Sequence, residues 1–390
     1  MFPEFAKKAM ADAGALGLKR TLRAAERVSP REIVIGGKHL LDFSSNDYMA
    51  LSMRPELIEG ACEWTRRYGA GSAASRLVSG TTEACLELEA KIAKWKGFEA
   101  AMILSSGYAG NVGLIAALSG RSRTIFADKL NHASLNQGCL LSGGDFKRYA
   151  HCDFERLEQM VARDGNKEKL IVSDTVFSMD GDVADLGRLR GIAEKNHALL
   201  YLDDAHGSGV LGENGHGLAS PGLCDVALST FSKALGSFGS CVCCSAEMKD
   251  YLVNHCASFI FSTAMPPAVL GAVSAAVDLM YTDEMKQARQ AMFRRADYLR
   301  RSLNEMGFDT GKSETMIVPL LVGETERTTK FSMRLQEEGI LGVAIRPPTV
   351  PRGTARIRLS LNAAHTDADV EHLIEAVRRI SADHGNRTTH

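Results

Sequence analysis

The sequence lacks the features that would direct a chain to nucleic acid, to a membrane or out of the cell. Basic and acidic side chains nearly balance, 46 against 47, and the formal net charge is −1. No field of one sign therefore draws it to a polyanion or an anionic surface. No stretch approaches the ~18 consecutive apolar residues of a spanning helix. The opening residues, Met1-Phe2-Pro3-Glu4-Phe5-Ala6-Lys7-Lys8, lack the basic-then-apolar order of a secretion signal, so a cytoplasmic chain is expected. Internal repeats and low-complexity tracts are absent. The nine cysteines are odd in number and scattered, and none forms a pair with metal-ligand spacing. No metal is expected, and no disulfide in a reducing compartment. The cluster Cys241, Cys243 and Cys244 lies in a run of small and apolar residues and reads as buried small hydrophobes. A dinucleotide fingerprint is missing too. The segments at 68–76 and 105–113 are glycine-rich, but neither has the Gly-x-Gly-x-x-Gly order with an acidic residue ~20 positions on.

What is present is an ordinary globular composition, 45% hydrophobic and 24% charged. At 390 residues the chain exceeds one small core. It divides by pattern into an N-terminal helix and hairpin segment (1–46), a large α/β domain (47–280) and a C-terminal α+β domain (281–390). Residues 1–27 read as an amphipathic helix, and 33–43 as a hairpin around Gly36-Gly37-Lys38. A charged helix follows from about residue 282, then strands at 316–322 and 355–361 and a closing helix at 367–380. The polar tail from Ala382 is expected to fray. Short apolar runs at 100–104, 169–173, 197–202 and 225–231 read as strands buried on both faces. Helix-length segments between them predict a mostly parallel sheet. Ligands bind at the carboxyl ends of such strands.

Two residues at those ends carry the chemistry. Lys233 lies in Thr230-Phe231-Ser232-Lys233-Ala234, a small hydroxyl-rich turn suited to holding an aldehyde cofactor as a Schiff base. Asp203 ends the run at 197–202 and is placed to keep a pyridine nitrogen protonated. Together they point to pyridoxal 5'-phosphate (PLP), an electron sink whose charge the protein tunes. The amides of Gly107 and Tyr108, at a helix start after a strand, suit its single phosphate.

Several motifs then fall in a familiar order. They are Phe43-Ser44-Ser45-Asn46-Asp47-Tyr48, Ser106-Gly107-Tyr108, Asn131-His132-Ala133-Ser134, Val176-Phe177-Ser178-Met179-Asp180-Gly181, Asp203-Asp204-Ala205-His206 and Thr230 to Lys233. From about Arg20 to His365 the chain resembles the α-oxoamine synthases. These are PLP enzymes of the aspartate-aminotransferase fold (fold type I) that condense an amino acid with an acyl thioester. Residues 261–267 and 344–351 are most similar to the member acting in biotin biosynthesis. That similarity implies decarboxylative condensation of L-alanine with a pimeloyl thioester, on coenzyme A or acyl carrier protein. A glycine-using sister, of the 2-amino-3-ketobutyrate CoA ligase or 5-aminolevulinate synthase type, shares the cofactor residues and stays open. In one departure, Cys85 stands where related sequences often carry histidine, and it reads as structural.

The resemblance also implies roles. Lys233 holds the cofactor and then acts as base at Cα, with a pKa lowered by its positive surroundings. Asp203 pairs with the ring nitrogen, His206 with the phenolic oxygen, helped by Ser178, and His132 lies over the ring and reaches the acyl group. Thr230, Gly107 and Tyr108 hold the phosphate, joined by Ser262 or Thr263 of a second subunit in a homodimer with shared active sites. Arg358 takes the amino acid carboxylate through its planar fork, while Asn46, Arg20 and Thr349 line the substrate side.

Overall fold

The computed structural model describes residues 2–15, 19–166 and 168–385. By contact the chain forms two compact units: Asn46–Ser178 with Asp182–Gln290, and Met1–Ser45 with Met179–Gly181 and Ala291–His390.

The larger unit is built on a seven-stranded sheet. Its order is Ala100–Leu104, Ser240–Cys244, Val226–Thr230, Leu199–Asp203, Glu168–Asp174, Arg123–Asp128, Asp145–Tyr149. The last five of these pair in parallel. Only Ser240–Cys244 runs antiparallel, between Ala100–Leu104 and Val226–Thr230, so the sheet is mostly parallel, as expected. That strand is the cysteine cluster, and all five of its residues are buried. Burial pushes the Cys244 thiol up to about 12, as a small hydrophobe without redox duty should behave. The inner strands are buried and largely apolar, as expected where helices cover both faces, whereas the outermost, Asp145–Tyr149, is polar and partly exposed. Met102, Leu114, Ile125, Leu170, Tyr201 and Val242 sit in one buried cluster between them.

Because Val226–Thr230 and Ser240–Cys244 are antiparallel neighbours, the lysine loop at 231–239 is a short return. Phe231 N–H donates to the Gly239 carbonyl at 2.9 Å, and Gly236 N–H to that of Lys233 at 2.9 Å. Gly236 has a φ of +63°, and a Cβ there would lie 2.4 Å from the backbone nitrogen of Ser52, so only glycine fits this turn.

The smaller unit contains the hairpin Glu32–Ile35 with Lys38–Asp42. Its two-residue turn, Gly36-Gly37, has φ of +59° and +76°, the twist a right-handed strand pair prefers. A three-stranded sheet, Ile317–Gly323, Ala355–Ser360, Val343–Ile345, packs with the helices Thr325–Glu337 and Asp367–Gly385. The N-terminal expectation needs correction. The helix spans only Glu4–Ala15 and buries no residue, Lys19 to Ala24 are irregular, and Ala25–Ser29 is a strand pairing with Glu32–Ile35. A helix with no buried face has propensity alone to sustain it, while the strand gains a ladder. Leu18, in the expected helix, lies outside the described residues. The closing helix runs past Ala382 to Gly385, and residues 386–390 lie outside the described ones.

Candidate active site

The carboxyl ends of three adjacent parallel strands deliver the first residues. Asp203 ends Leu199–Asp203, Asp174 ends Glu168–Asp174, and Thr230 ends Val226–Thr230, all three at most 4% exposed. Lys233 follows three residues later in the return loop. Its Nζ stands 2.7 Å from Nε2 of His206, which the turn after Asp203 carries.

His206 is held from its other side. Its Nδ1 lies 2.7 Å from the Tyr48 hydroxyl, which donates to Oδ1 of Asn46 at 3.0 Å. With that proton committed to Asn46, the phenolic oxygen accepts from Nδ1–H. Nε2 then carries the ring's lone pair, turned to the Lys233 amine. Tyr48 is fully buried. Sequence reading passed over it although Asn46-Asp47-Tyr48 was in view, because nothing local shows that a tyrosine will meet a histidine 158 residues on.

Asp203 is oriented from two directions. Oδ1 accepts from Ala205 N–H at 2.9 Å, and Oδ2 from Nδ2 of Asn111 at 2.6 Å. His132 sits at the N-terminus of the helix Ala133–Leu141, where its Nδ1 accepts from Ser134 N–H at 3.3 Å and lies 2.7 Å from Ser134 Oγ. Its backbone N–H donates to Oδ2 of Asp174 at 2.7 Å. The His132 ring keeps open surface, yet displaced water around it holds its pKa below the ordinary histidine value. Lys233 lowers it further, and the Asp203 carboxylate opposes both. Burial raises the Asp174 carboxyl well above the usual range, and the Asp203 charge adds to this.

The helix Gly107–Leu118 starts beside Thr230. Its N-cap, Ser106, accepts from Ala109 N–H at 3.2 Å, and the amides of Gly107 and Tyr108 precede that capping bond, in the first turn where amides have no intrahelical acceptor. A Cβ on Gly107 would come 3.7 Å from Thr230 Oγ1, so hydroxyl and helix start face one recess. Thr230 Oγ1 also lies 2.8 Å from Ser232 Oγ, a hydroxyl that sequence reading did not single out.

The other expected residues belong to other segments of the chain. Ser178 is half-buried in the turn after Glu168–Asp174. Thr263 bridges to Ser75, with Ser262 before it. Arg358, Thr349 and Arg20 belong to the smaller unit. There, buried Arg358 donates from Nη1 to Ser360 Oγ at 2.7 Å, Thr349 N–H donates to the Arg346 carbonyl at 3.0 Å, and Arg20 is exposed and irregular. Cys85 is buried in the helix Glu83–Lys96, its thiol pushed up to about 11 by burial, consistent with a structural reading. Asp128, His151 and Cys152 bring potential ligand atoms within 4.8 Å of one another. However, both His151 nitrogens face carboxylates, Asp128 at 3.2 Å and Asp182 at 2.8 Å. Carboxylates on both sides favour the protonated ring, which has no lone pair to offer a metal.

Known proteins share this plan. The profile of the aminotransferase class I and II family matches residues 38–377. The 8-amino-7-oxononanoate synthase of Geobacter sulfurreducens is 48% identical over 374 residues, covering 95% of this chain and 96% of its own length. Among solved structures, a lysine-to-alanine variant of serine palmitoyltransferase from S. paucimobilis with a bound PLP–myriocin aldimine superposes with a TM-score of 0.91 at 27% identity, covering 98% of each chain. The 8-amino-7-oxononanoate synthase of Francisella tularensis gives 0.77 at 25% identity, over 88% of this chain and 99% of that one. The motif resemblance thus extends along the whole fold, whose backbone follows the palmitoyltransferase, while the sequence reaches 48% identity with the Geobacter sulfurreducens synthase. A profile match over most of its length and end-to-end relatives make this chain a member of the aminotransferase class I and II family.

Proposed function

We propose that the chain catalyses the decarboxylative condensation of L-alanine with a pimeloyl thioester, giving 8-amino-7-oxononanoate, carbon dioxide and free thiol in biotin biosynthesis, with PLP as cofactor. The observation that carries this reading is the 2.7 Å approach of Lys233 Nζ to His206 Nε2, on the sheet edge that also holds Asp203. An aldehyde-bearing cofactor needs an amine at that edge, and Lys233 supplies one beside a histidine that can exchange its proton.

The residues fit PLP. Thr230 Oγ1 and the start of the helix Gly107–Leu118 form a recess for its phosphate, to which the helix N-terminus is attractive. Asp203, fixed by Ala205 and Asn111, can hold a proton on the ring nitrogen. His206 and Ser178 are assigned to the phenolic oxygen. When bound, PLP supplies a sink for the electron pair left on the amino acid's Cα. Lys233 would hold the cofactor's aldehyde carbon, and its amine would take and later return the proton at the alanine Cα. The Nε2 lone pair of His206 faces the amine and can relieve it of a proton. His132 presents Nε2–H, because its Nδ1 is already an acceptor, and so offers a donor to the thioester carbonyl oxygen. Arg358 takes the alanine carboxylate, with Asn46, Thr349 and Arg20 along the acyl side. The functional division is 1–46, 47–280 and 281–390, with the cofactor residues in the middle segment.

Turnover of the PLP-loaded protein should be assayed with alanine, glycine and serine against pimeloyl-CoA, pimeloyl-acyl carrier protein and short acyl thioesters, with product identified by mass. Alanine with a pimeloyl donor is expected to win clearly. A preference for glycine with acetyl-CoA would move the chain to the glycine-using sisters and leave the family intact.

A homodimer with shared sites belongs to the same proposal. Phe261 and Val78 are 84% and 81% exposed, close in sequence to Thr263 and Ser75, which bridge; apolar surface of this kind suits an obligate interface. Mixing inactive Lys233→Ala with a Thr263 variant that cannot retain PLP should restore up to one working site per mixed dimer. A fully active monomer by sedimentation would remove the claim. A cytoplasmic location is likewise proposed; no helix among the described residues is long and apolar enough to cross a membrane.

A further inference from the structure

Between Asp203 and His132 lies a side chain to which neither the motifs nor the proposed chemistry gives a role. Asn111 is the fifth residue of the helix Gly107–Leu118 and 1% exposed. Its carboxamide makes three hydrogen bonds. Oδ1 accepts from the Tyr201 hydroxyl at 2.7 Å, while Nδ2 donates to Asp203 Oδ2 at 2.6 Å and to Ser134 Oγ at 2.8 Å. All three partners are buried, Tyr201 and Ser134 wholly so.

The protons in this chain have one consistent arrangement. Burial raises the Tyr201 phenol well above its ordinary pKa, and the Asp203 charge adds to it, so the phenol remains a donor. That donor fixes which end of the carboxamide is oxygen, and the NH2 must point at Asp203 and Ser134. Ser134 Oγ, already accepting from Asn111, turns its own proton to Nδ1 of His132 at 2.7 Å. Nδ1 also accepts from Ser134 N–H at 3.3 Å, so the proton of the neutral ring lies on Nε2. One buried amide therefore orients the carboxylate on one strand end and selects the tautomer of the histidine on the neighbouring loop.

We infer that Asn111 is a positioning residue that sets the Asp203 carboxylate and the His132 Nε2–H tautomer together, with Tyr201 and Ser134 as its two relays. This rests on the proposed PLP reading, and its tests separate from that reading because the first uses apoprotein. The ionisable groups bonded to the carboxamide are Asp203 and Tyr201; Asp174 and Lys233 act electrostatically on His132, Tyr201 or each other, and the thiols of Cys139 and Cys256 act on Tyr201.

The first experiment is NMR of histidine-labelled apoprotein, reading the tautomer of His132. Wild type should be predominantly Nε2–H, and Ser134→Ala and Asn111→Leu should each shift the ring toward a mixture, with far-ultraviolet dichroism reporting the fold. A wild-type ring that is Nδ1–H, or one unmoved in both folded variants, overturns the proposal.

The second experiment compares Asn111→Asp with Asn111→Leu in PLP-loaded protein. Both should lower kcat by roughly 10- to 100-fold at neutral pH, the scale on which misplacing a reacting group costs rate, with little change in KM for alanine. They should part as pH falls. The new carboxyl would face Asp203, and repulsion between two carboxylates at that distance raises the pH at which one of them takes up a proton. The proton they share would restore a donor toward Asp203, so Asn111→Asp recovers toward wild type in acid and Asn111→Leu does not. A filler role would give parallel pH profiles, and that result sinks the inference. If wild type itself fails to turn over alanine and a pimeloyl thioester, the functional reading falls while the tautomer result stands.

Discussion

One strand end divides two regions of opposite character. Asp203 and Asp204 are bonded neighbours, yet the pleat and the turn send them to different places. Asp203 meets polar groups that orient it without neutralising it: the Asn111 amide and one backbone N–H. Asp204 is wholly buried against Lys96, also wholly buried, at 2.7 Å. It accepts further bonds from Ser208 at 2.9 Å, Thr175 at 2.7 Å and Leu218 N–H at 3.2 Å. Nothing is left over there. Cβ atoms on Gly217 and Gly207 would come within 1.8 and 2.2 Å of its carboxylate, so the backbone is wrapped directly around it. The first region keeps its charges oriented and available for a ligand, whereas the second spends every valence on holding the chain. Proximity to the site in sequence, even by one residue, therefore says little about role; the number of filled valences says more.

The sharpest test of the available region is Lys233→Ala. The chain should fold, since this half-buried lysine is not part of the Lys96–Asp204 knot, but turnover should be abolished and no borohydride-reducible adduct with PLP should form. An adduct that persists would show that another amine does the work.

Next in size is Asp203→Asn. A neutral partner weakens the ring as an electron sink, and the rate should fall by about 100-fold or more, while thermal unfolding of the apoprotein changes little. Near-normal turnover would mean the wrong carboxylate has been assigned, with Asp174 the neighbour to examine.

Both residues could be found from sequence because their signals are local: an apolar run ending in an acid, and a hydroxyl-rich turn carrying a lysine. The hairpin turn at Gly36-Gly37 was legible for the same reason. What could not be read were the partners. Asn111 lies 92 residues from Asp203, and Lys96 lies 108 from Asp204; such pairings are created by strand order, which no local pattern encodes. The N-terminal helix failed differently. It was expected over 1–27, but its described part, Glu4–Ala15, buries no residue, and Ala25–Ser29 gains more by pairing as a strand.

Lys96→Met tests the closed region. Methionine keeps most of the volume but leaves the Asp204 carboxylate buried without its cation, a change that costs about 3–5 kcal/mol when one partner of a buried pair is removed. Denaturant unfolding should show that loss, while the surviving folded protein keeps kcat within a few-fold. A large fall in kcat at unchanged stability would erase the division between the regions.

The smallest effect probes a second closed knot, and its sign follows from the cations. His151 is clamped between Asp128 and Asp182. Burial alone would lower its pKa, but the hydrogen-bonded carboxylates win and push it up to about 12. Below the unfolded-state value of about 6.5 both folded and unfolded chains carry the proton, and the clamp contributes in full. Above it the unfolded chain releases a proton that the folded chain keeps, so the contribution shrinks as pH rises, by at most about 1.4 kcal/mol per pH unit. His365 works the other way: burial holds it down at about 4, so its contribution is complete above about 6.5 and is lost only as pH falls. Between pH 7 and 9 His365 is therefore silent. The raised Asp174 carboxyl would tilt stability in the same direction as His151, but equally in wild type and in His151→Gln. The difference between the two apoproteins, measured by urea unfolding at fixed protein concentration, should narrow from pH 7 to pH 9. A constant difference would mean that His151 is held as a neutral ring, with the knot resting on hydrogen bonds rather than on charge.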